Sequence, residues 1–351
     1  MRDGDKSPLL RELVPLLELN HTTLEGLKNS TVMIVGGGGF MGMWVAEAIT
    51  ALNEMFGFQT KVKIQTLSSD FLSKYASHLT SRTDVSVTLA DCRRTVVPDD
   101  VQYIVYTATP TNPYLHQTEP TETSSVIVDG VRAVLESAEV LPDLRNILYV
   151  SSGSVYGSQP FDTEKLSEDS FQPIDSSVLS NCFAEALRFA ESLCVGYRNE
   201  ARLPIVMARG FAFLGPYQLP TIAWALHNFI ADAMNGRPIR ILGDGESVRS
   251  YLHGADASVW LLRLLAQGQS GGVYNVGSPH GIRLVDAADS VARYFNRKSE
   301  VTLLSQAAHL RKTRFVPDTS KIQREFGLSV SVDVERAIVQ TIEWALNNKG
   351  A

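Results

Sequence analysis

Apolar positions along this chain follow two rhythms that alternate. Leu9, Leu10, Leu13, Leu16 and Leu17 recur at helical spacing and predict a short amphipathic helix docked on the main body. From Thr31 onward, short β-rich runs take turns with helical stretches. TVMIV (31–35), KVKIQTL (61–67), VSVTLA (85–90), VQYIVYTA (101–108), NILYVSS (146–152) and LPIVMAR (203–209) read as strands. Helical pattern fills Met41 to Phe56, a stretch ending near Val140, and a long segment from about Ser177 to Tyr197. Strands separated by helices imply parallel pairing through right-handed crossovers, hence an α/β fold with a doubly wound parallel sheet of Rossmann type. Beyond Gly215 helices predominate, around 221–235, 255–267, 284–296 and 333–348, with short β-like pieces at 239–242 and 272–277. That change of rhythm predicts a smaller mixed α/β lobe over the C-terminal edge of the sheet, with a ligand crevice between the two.

Composition narrows the classes without choosing among them. The chain has 351 residues, is 44% hydrophobic and 20% charged, and carries a formal charge of −6. Disordered, collagen-like and coiled-coil proteins are excluded, and an acidic balance disfavours sequence-independent nucleic-acid binding. Three cysteines, Cys92, Cys182 and Cys194, fit neither a disulfide framework nor a metal pattern, so no metal site is expected. The first 20 residues, broken by Glu12 and Pro15, do not read as a signal peptide, and no apolar run approaches a membrane span. The expectation is a soluble, cytoplasmic protein.

The glycine cluster adds chemistry. IVGGGGFMG places Gly36, Gly39 and Gly42 in GxxGxxG spacing between the first strand and the first long helix. The chain must turn at Gly36, leave room for a pyrophosphate at Gly39, and pack helix on strand at Gly42. The helix then offers unpaired N–H groups and a positive dipole end to the phosphates. Asp91 is either an adenine contact or an ordinary turn acid. Where an NAD site usually has Asp or Glu, this chain reads Leu67-Ser68-Ser69-Asp70, with Ser68 at the ribose position. Ser68 and Ser69 suit a ribose hydroxyl or a 2′-phosphate equally, so NAD and NADP stay open.

Further blocks follow in order: YTAT (106–109), YVSSGSVYG (149–157), ARGFAFLGP (208–216), GDGESVRSYLHGADAS (243–258), YNVGS (274–278) and RFVPDTSKIQREFGL (314–328). With GGGGFMG (36–42), this ordered set resembles the extended short-chain dehydrogenase/reductase family, in particular its nucleotide-sugar epimerases and dehydratases. The resemblance implies an NAD(P) cofactor, a nucleotide-sugar ligand and a homodimer. It implies cofactor contacts from Gly36, Gly39, Phe40, Met41, Gly42, Ser68, Ser69, Asp91, Thr107, Ala108, Thr109 and Asn181. It further implies that Ser152 hydrogen-bonds the reacting sugar, that Tyr114, Ser154 and Ala212 border the substrate, and that Arg249 clamps its diphosphate. Ala212 stands where many relatives carry Asn. Arg209 reads as structural, and Asp256 as a cap or first-turn acid. Domain limits follow: a helical extension at 1–30, the dinucleotide domain at 31–214 with 251–268 returning to it, and the substrate lobe at 215–250 and 269–351.

One motif is missing. The family's acid/base pair is YxxxK on the helix after the SVYG block, where the lysine lowers the tyrosine's pKa. Aligning Ala184-Glu185 with the family pattern puts Ser177 at the tyrosine and Asn181 at the lysine. No register repairs this, since no Tyr lies between Tyr156 and Tyr197 and no Lys between Lys165 and Lys298. Tyr294 and Lys298 form a literal YxxxK in the second lobe, a coincidence of spacing. The substitutes are Tyr156, His116, Tyr114 or Cys182, or a water held by Ser152, Ser177 and Asn181. The reading is therefore a nucleotide-sugar oxidoreductase, epimerase or dehydratase with an altered proton relay. The alternative is a catalytically silent relative acting as an NAD(P) or nucleotide-sugar sensor or partner subunit.

Overall fold

The computed structural model describes residues 9–219, 224–296, 301–304 and 312–348. Six strands follow one another, joined by helices except between β3 and β4, where there is only a 3₁₀ turn at Cys92–Arg94: β1 (Thr31–Val35), β2 (Lys61–Thr66), β3 (Val85–Leu89), β4 (Tyr103–Tyr106), β5 (Asn146–Ser152) and β6 (Ile205–Gly210). Next come β7 (Ala212–Leu214), β8 (Ile239–Leu242), β9 (Val248–His253), β10 (Val273–Val276), β11 (Gly281–Arg283), β12 (Val301–Leu304) and β13 (Arg314–Phe315). The main sheet has the order β10-β6-β5-β4-β1-β2-β3, and each neighbouring pair is parallel. Residues of β1, β4 and β6 are buried throughout, as required of central strands covered on both faces.

The helices are α1 (Leu10–Asn20), α2 (Phe40–Phe56), α3 (Asp70–Tyr75), α4 (Ser77–Thr80), α5 (Pro113–Thr118), α6 (Pro120–Ala138), α7 (Cys182–Glu200), α8 (Ala225–Met234), α9 (Gly254–Gln267), α10 (Leu284–Tyr294), α11 (Ser320–Phe326) and α12 (Val334–Asn347). On one face, α2 and α9 share a core with α1 that includes Trp44, Trp260, Leu13 and Leu17. On the other, α6 and α7 cover Tyr106, Tyr149 and Leu187. A third core, with Leu226, Phe229, Ile241 and Ile342, belongs to the lobe. Each fully buried leucine in these layers contributes on the order of 1.5–3 kcal/mol relative to exposure.

The lobe differs from the sequence reading at two strands. The run at 272–277, assigned to the lobe, supplies β10 and pairs with β6 in the main sheet. Two-sided burial of Tyr274, Asn275 and Val276 explains the placement: the strand fits between layers and has no exposed face to alternate. Residues 212–214, assigned to the dinucleotide domain, instead form β7 outside the main sheet, pairing with β9 beside β11 and β13, and β8 and β12 make a separate parallel pair. Lys298 lies outside the described residues. Helices α1 and α12 meet: Glu12 on α1 accepts from Arg336 Nη2 (2.6 Å) and Gln340 Nε2 (2.7 Å) on α12.

Candidate functional site

The order of strands reverses between β1 and β4, which stay paired up to Val35 and Tyr106, so the connections leaving their C-terminal ends run in opposite directions and leave a crevice there. Gly36 follows β1 with φ +83°, a left-handed conformation suited to glycine. A Cβ at Gly36 would lie 2.5 Å from the Ala108 nitrogen, and one at Gly42 would overlap Gly37. Gly39 differs: the nearest neighbour of its Cβ would be the Gly36 carbonyl at 3.3 Å, so its missing side chain keeps space open rather than relieving a packed contact. Gly39 is also the N-cap of the 17-residue α2, whose first turn has no side-chain cap. Unpaired N–H groups and the dipole therefore face the crevice.

The crevice is a cavity of about 690 Å³ lined by Gly36, Gly38, Gly39, Thr66, Ser68, Asp91, Thr107, Ala108 and Thr109, among others. Thr107 is fixed by its N–H (2.8 Å) and hydroxyl (3.0 Å), both donating to Val35 O. The Thr109 hydroxyl is buried and has no hydrogen-bond partner among the described residues. An orphaned donor on the cavity wall and a backbone cradle without side chains fit a dinucleotide. Phe40, Met41 and Gly42 stand behind this wall: Phe40 packs on Trp44 and Phe213, and Gly42 on Gly37.

At the adenosine end the sequence missed three residues. Arg93 donates to both Asp91 oxygens, its Nη2 2.6 Å from Oδ2, and also pairs with Glu122 at 2.9 Å. This guanidinium holds the Asp91 carboxyl down at about 2. Thr66, rather than Ser68, ends β2 beside the glycine loop, since a Cβ on Gly38 would overlap its hydroxyl. Lys74 completes the wall from α3. Ser68 lines the cavity and its Oγ accepts from Asp70 N (3.1 Å), whereas Ser69 is not part of the lining.

Around the reaction end the structure corrects several expectations. Ser152 ends β5, where its Oγ accepts from Ser154 N (3.1 Å) and donates to Ser154 Oγ (3.2 Å). Ser177 does not begin a helix. Its N–H and hydroxyl both donate to Asp175 Oδ1 (2.9 and 2.6 Å), and Asn181 Nδ2 donates to the Asp175 carbonyl (2.9 Å). These local bonds compete with helical ones, so α7 starts at Cys182 after a single 3₁₀ turn at Leu179–Asn181. Ser177 is exposed and Asn181 half-buried.

Tyr156 is excluded as an acid/base substitute. It is fully buried, donates to Asn275 Oδ1 (2.7 Å) and accepts from Arg209 Nη1 (3.0 Å). Burial pushes its phenol well above the usual range, against the pull of Arg209. Arg209 is structural, bound by Glu191 at both carboxylate oxygens. His116 on α5 stacks on Phe183 (3.9 Å between centroids), and its Nε2 lies 2.9 Å from the Pro110 carbonyl. Tyr114 is 65% exposed on the same short helix. Cys182 is half-buried at the start of α7.

In the lobe, the Arg249 guanidinium donates to Val248 O (2.9 Å), Thr313 O (3.2 Å) and Thr313 Oγ1 (2.8 Å). Ala212 is the first residue of β7, which pairs with β9 next to it. Asp256 is buried in the first turn of α9, but caps no end of its own helix. It accepts instead from Ser331 N and Val332 N, and burial pushes its carboxyl up to about 6.

Comparison with known proteins adds the family. The family model for the NAD dependent epimerase/dehydratase family matches residues 32–277. This chain belongs to that family. Among family relatives, a UDP-glucuronic acid decarboxylase of Arabidopsis thaliana is 25% identical over 313 residues, covering 88% of this chain and 87% of the relative. A trifunctional UDP-glucose 4,6-dehydratase/UDP-4-keto-6-deoxy-D-glucose 3,5-epimerase/UDP-4-keto-L-rhamnose-reductase from the same plant is 28% identical over 220 residues, 62% of this chain. The match spans about a third, 32%, of that relative's length. Among solved structures, the dTDP-glucose 4,6-dehydratase of Bacillus anthracis in complex with NAD superposes with a TM-score of 0.75 at 19% identity, covering 91% and 97% of the two chains. The UDP-glucuronic acid 4-epimerase of Bacillus cereus in complex with NAD gives 0.76 at 19% identity, over 90% and 96%. At such identities the structures establish a shared fold.

Proposed function

We propose that this chain binds NAD(P) in the crevice between β1 and β4 and acts on a nucleotide-activated sugar held between the sheet and the lobe. The observation that carries this is the glycine cradle opening directly on a cavity of about 690 Å³. A dinucleotide of roughly 40 heavy atoms suits a site near the middle of the usual ligand-pocket range. The family membership and the UDP- and dTDP-sugar names of the relatives support the substrate class. A bound nicotinamide would supply hydride transfer. The chain's own part is to hold phosphates at Gly36 and Gly39, the ribose at Thr66 and Ser68, and the sugar near Ser152 and Ser154. His116, Cys182 or an ordered water would move the proton in place of the family's tyrosine.

A second reading, a catalytically silent binder or partner subunit, is favoured by one observation. Ser177 and Asn181 spend their hydrogen bonds on Asp175, and Tyr156 spends its own on Arg209 and Asn275. A homodimer through α6 and α7 is supported by Phe189 and Val195, exposed apolar residues on α7 at 50% and 38%. Three free thiols suit a reducing, cytoplasmic setting. The test is to identify any nucleotide that copurifies, then to incubate with UDP-, dTDP-, GDP- and CDP-sugars while following reduced-nicotinamide absorbance and products. Turnover supports the enzyme, binding without turnover supports the silent reading, and absence of nicotinamide binding overturns both. In the enzyme, Ser177→Tyr with Asn181→Lys changes rate or product; in the silent protein it is a route to new activity.

A further inference from the structure

We propose that the ribose end of the cavity accepts a 2′-phosphate, so that this chain takes NADP(H) in preference to NAD(H). The proposal rests on the dinucleotide reading above. In folds of this kind an Asp or Glu after β2 accepts from the ribose 2′-hydroxyl in NAD sites, and its charge repels a phosphate. Here the residue beside the glycine loop is Thr66, whose hydroxyl occupies the space that a Cβ on Gly38 would need. Thr66 Oγ1 donates to Ser68 O (3.0 Å), which turns the chain so that Ser68 joins the cavity wall. Ser68 Oγ accepts from Asp70 N, leaving its own hydrogen to donate outward.

Two cations line the same cavity, Lys74 and Arg93. Arg93 is spent on Asp91 and Glu122, a group with one negative charge in excess. Lys74 pairs with no carboxylate among the described residues; its ammonium rests 5.2 Å over the Tyr75 ring, and its side chain is exposed. Its long stem and three donors suit it to meet a phosphate as a mobile point charge. Asp70, the first residue of α3, is the opposing carboxylate in the wall and would be the ribose acceptor were the site built for NAD. The local balance therefore lies between Lys74 with the Ser68 hydroxyl and Asp70, unpaired among the described residues, because Thr66 has spent its hydrogen on Ser68 O and Asp91 and Glu122 are held by Arg93. The unpaired ammonium and one free hydroxyl donor, with no acid at Thr66, favour the phosphate.

Equilibrium binding of NADPH, NADH, 2′-phospho-ADP-ribose and ADP-ribose to the full chain, by calorimetry or nicotinamide fluorescence, tests this. NADPH is expected to bind at least about tenfold tighter than NADH, the size of one charge-assisted contact. Lys74→Ala should cost about tenfold for the two phosphorylated ligands and less than about twofold for the others, while Asp70→Asn should leave NADPH unharmed. Thr66→Asp should reverse the preference. Equal or tighter binding of NADH, or an equal loss of both dinucleotides in Lys74→Ala, overturns the proposal and leaves the dinucleotide site standing. Binding of neither dinucleotide removes the site itself, and this proposal with it.

Discussion

Arg209 and Glu191 meet inside the protein through two parallel hydrogen bonds, Nε to Oε1 at 3.0 Å and Nη2 to Oε2 at 2.8 Å. The pair ties β6 to α7, and both side chains are at most 10% exposed. Arg209 also lies over the rings of Tyr156 (4.9 Å) and Phe171 (4.8 Å). Removing one partner strands the other as an uncompensated buried charge. Glu191→Gln should therefore destabilise the fold by about 3–5 kcal/mol, measured by urea unfolding. Exposed pairs such as Arg293–Glu335 should cost about 1 kcal/mol or less when broken.

The glycines of the cradle should separate by mechanism. Gly36→Ala forces a side chain into a left-handed conformation and into Ala108, so both stability and dinucleotide binding should fall. Gly39→Ala meets only the Gly36 carbonyl at 3.3 Å, so its thermal midpoint should change little. Its added methyl enters the phosphate space, and binding of NADH and NADPH should drop about tenfold or more by calorimetry.

Thr109 gives a change of opposite signs. Its buried hydroxyl has no partner among the described residues, so Thr109→Val removes an unsatisfied group at constant shape. The free protein should be as stable as before or more so, while dinucleotide affinity falls. Unfolding midpoints with and without saturating NADPH check both halves.

Acid should loosen the lobe through His227. Burial alone holds its pKa at about 4, below the ordinary 6.5, and neither ring nitrogen has a partner among the described residues. As pH falls from about 6.5 towards 4, the unfolded chain takes a proton that the folded chain refuses, so stability is lost, up to about 3 kcal/mol. His253, also held at about 4 by burial, adds to this slope. Asp256 opposes it: its carboxyl stays protonated up to about 6 when folded, which favours the folded state at low pH. His227→Leu should therefore flatten the dependence without abolishing it. Urea midpoints at pH 7.5 and pH 5 for both proteins supply the comparison.

What the sequence made legible was local. Gly36 and Gly42 could be read because the turn and the helix–strand contact lie within seven residues of chain, and the strand runs because central parallel strands are continuously apolar. The misses came from competition and from distance. Asp175 looks like any loop acid, yet it captures Ser177 and Asn181 and delays α7 by more than a turn. Thr66, not Ser68, ends β2 because the pairing of Val35 with Gln65 sets which residue meets the glycine loop. Tyr156 follows the SVYG pattern faithfully, but Arg209 and Asn275, 53 and 119 residues away, decide where its hydroxyl points.

The clasp between α1 and α12 bears on how the chain is made. Glu12 finds its partners 324 and 328 residues later, so those residues must follow it out of the ribosome before that carboxylate is satisfied. Until then Leu13 and Leu17, which end fully buried, lack part of their final surroundings. A helix made before the sheet is thus secured only after the sheet and lobe are complete.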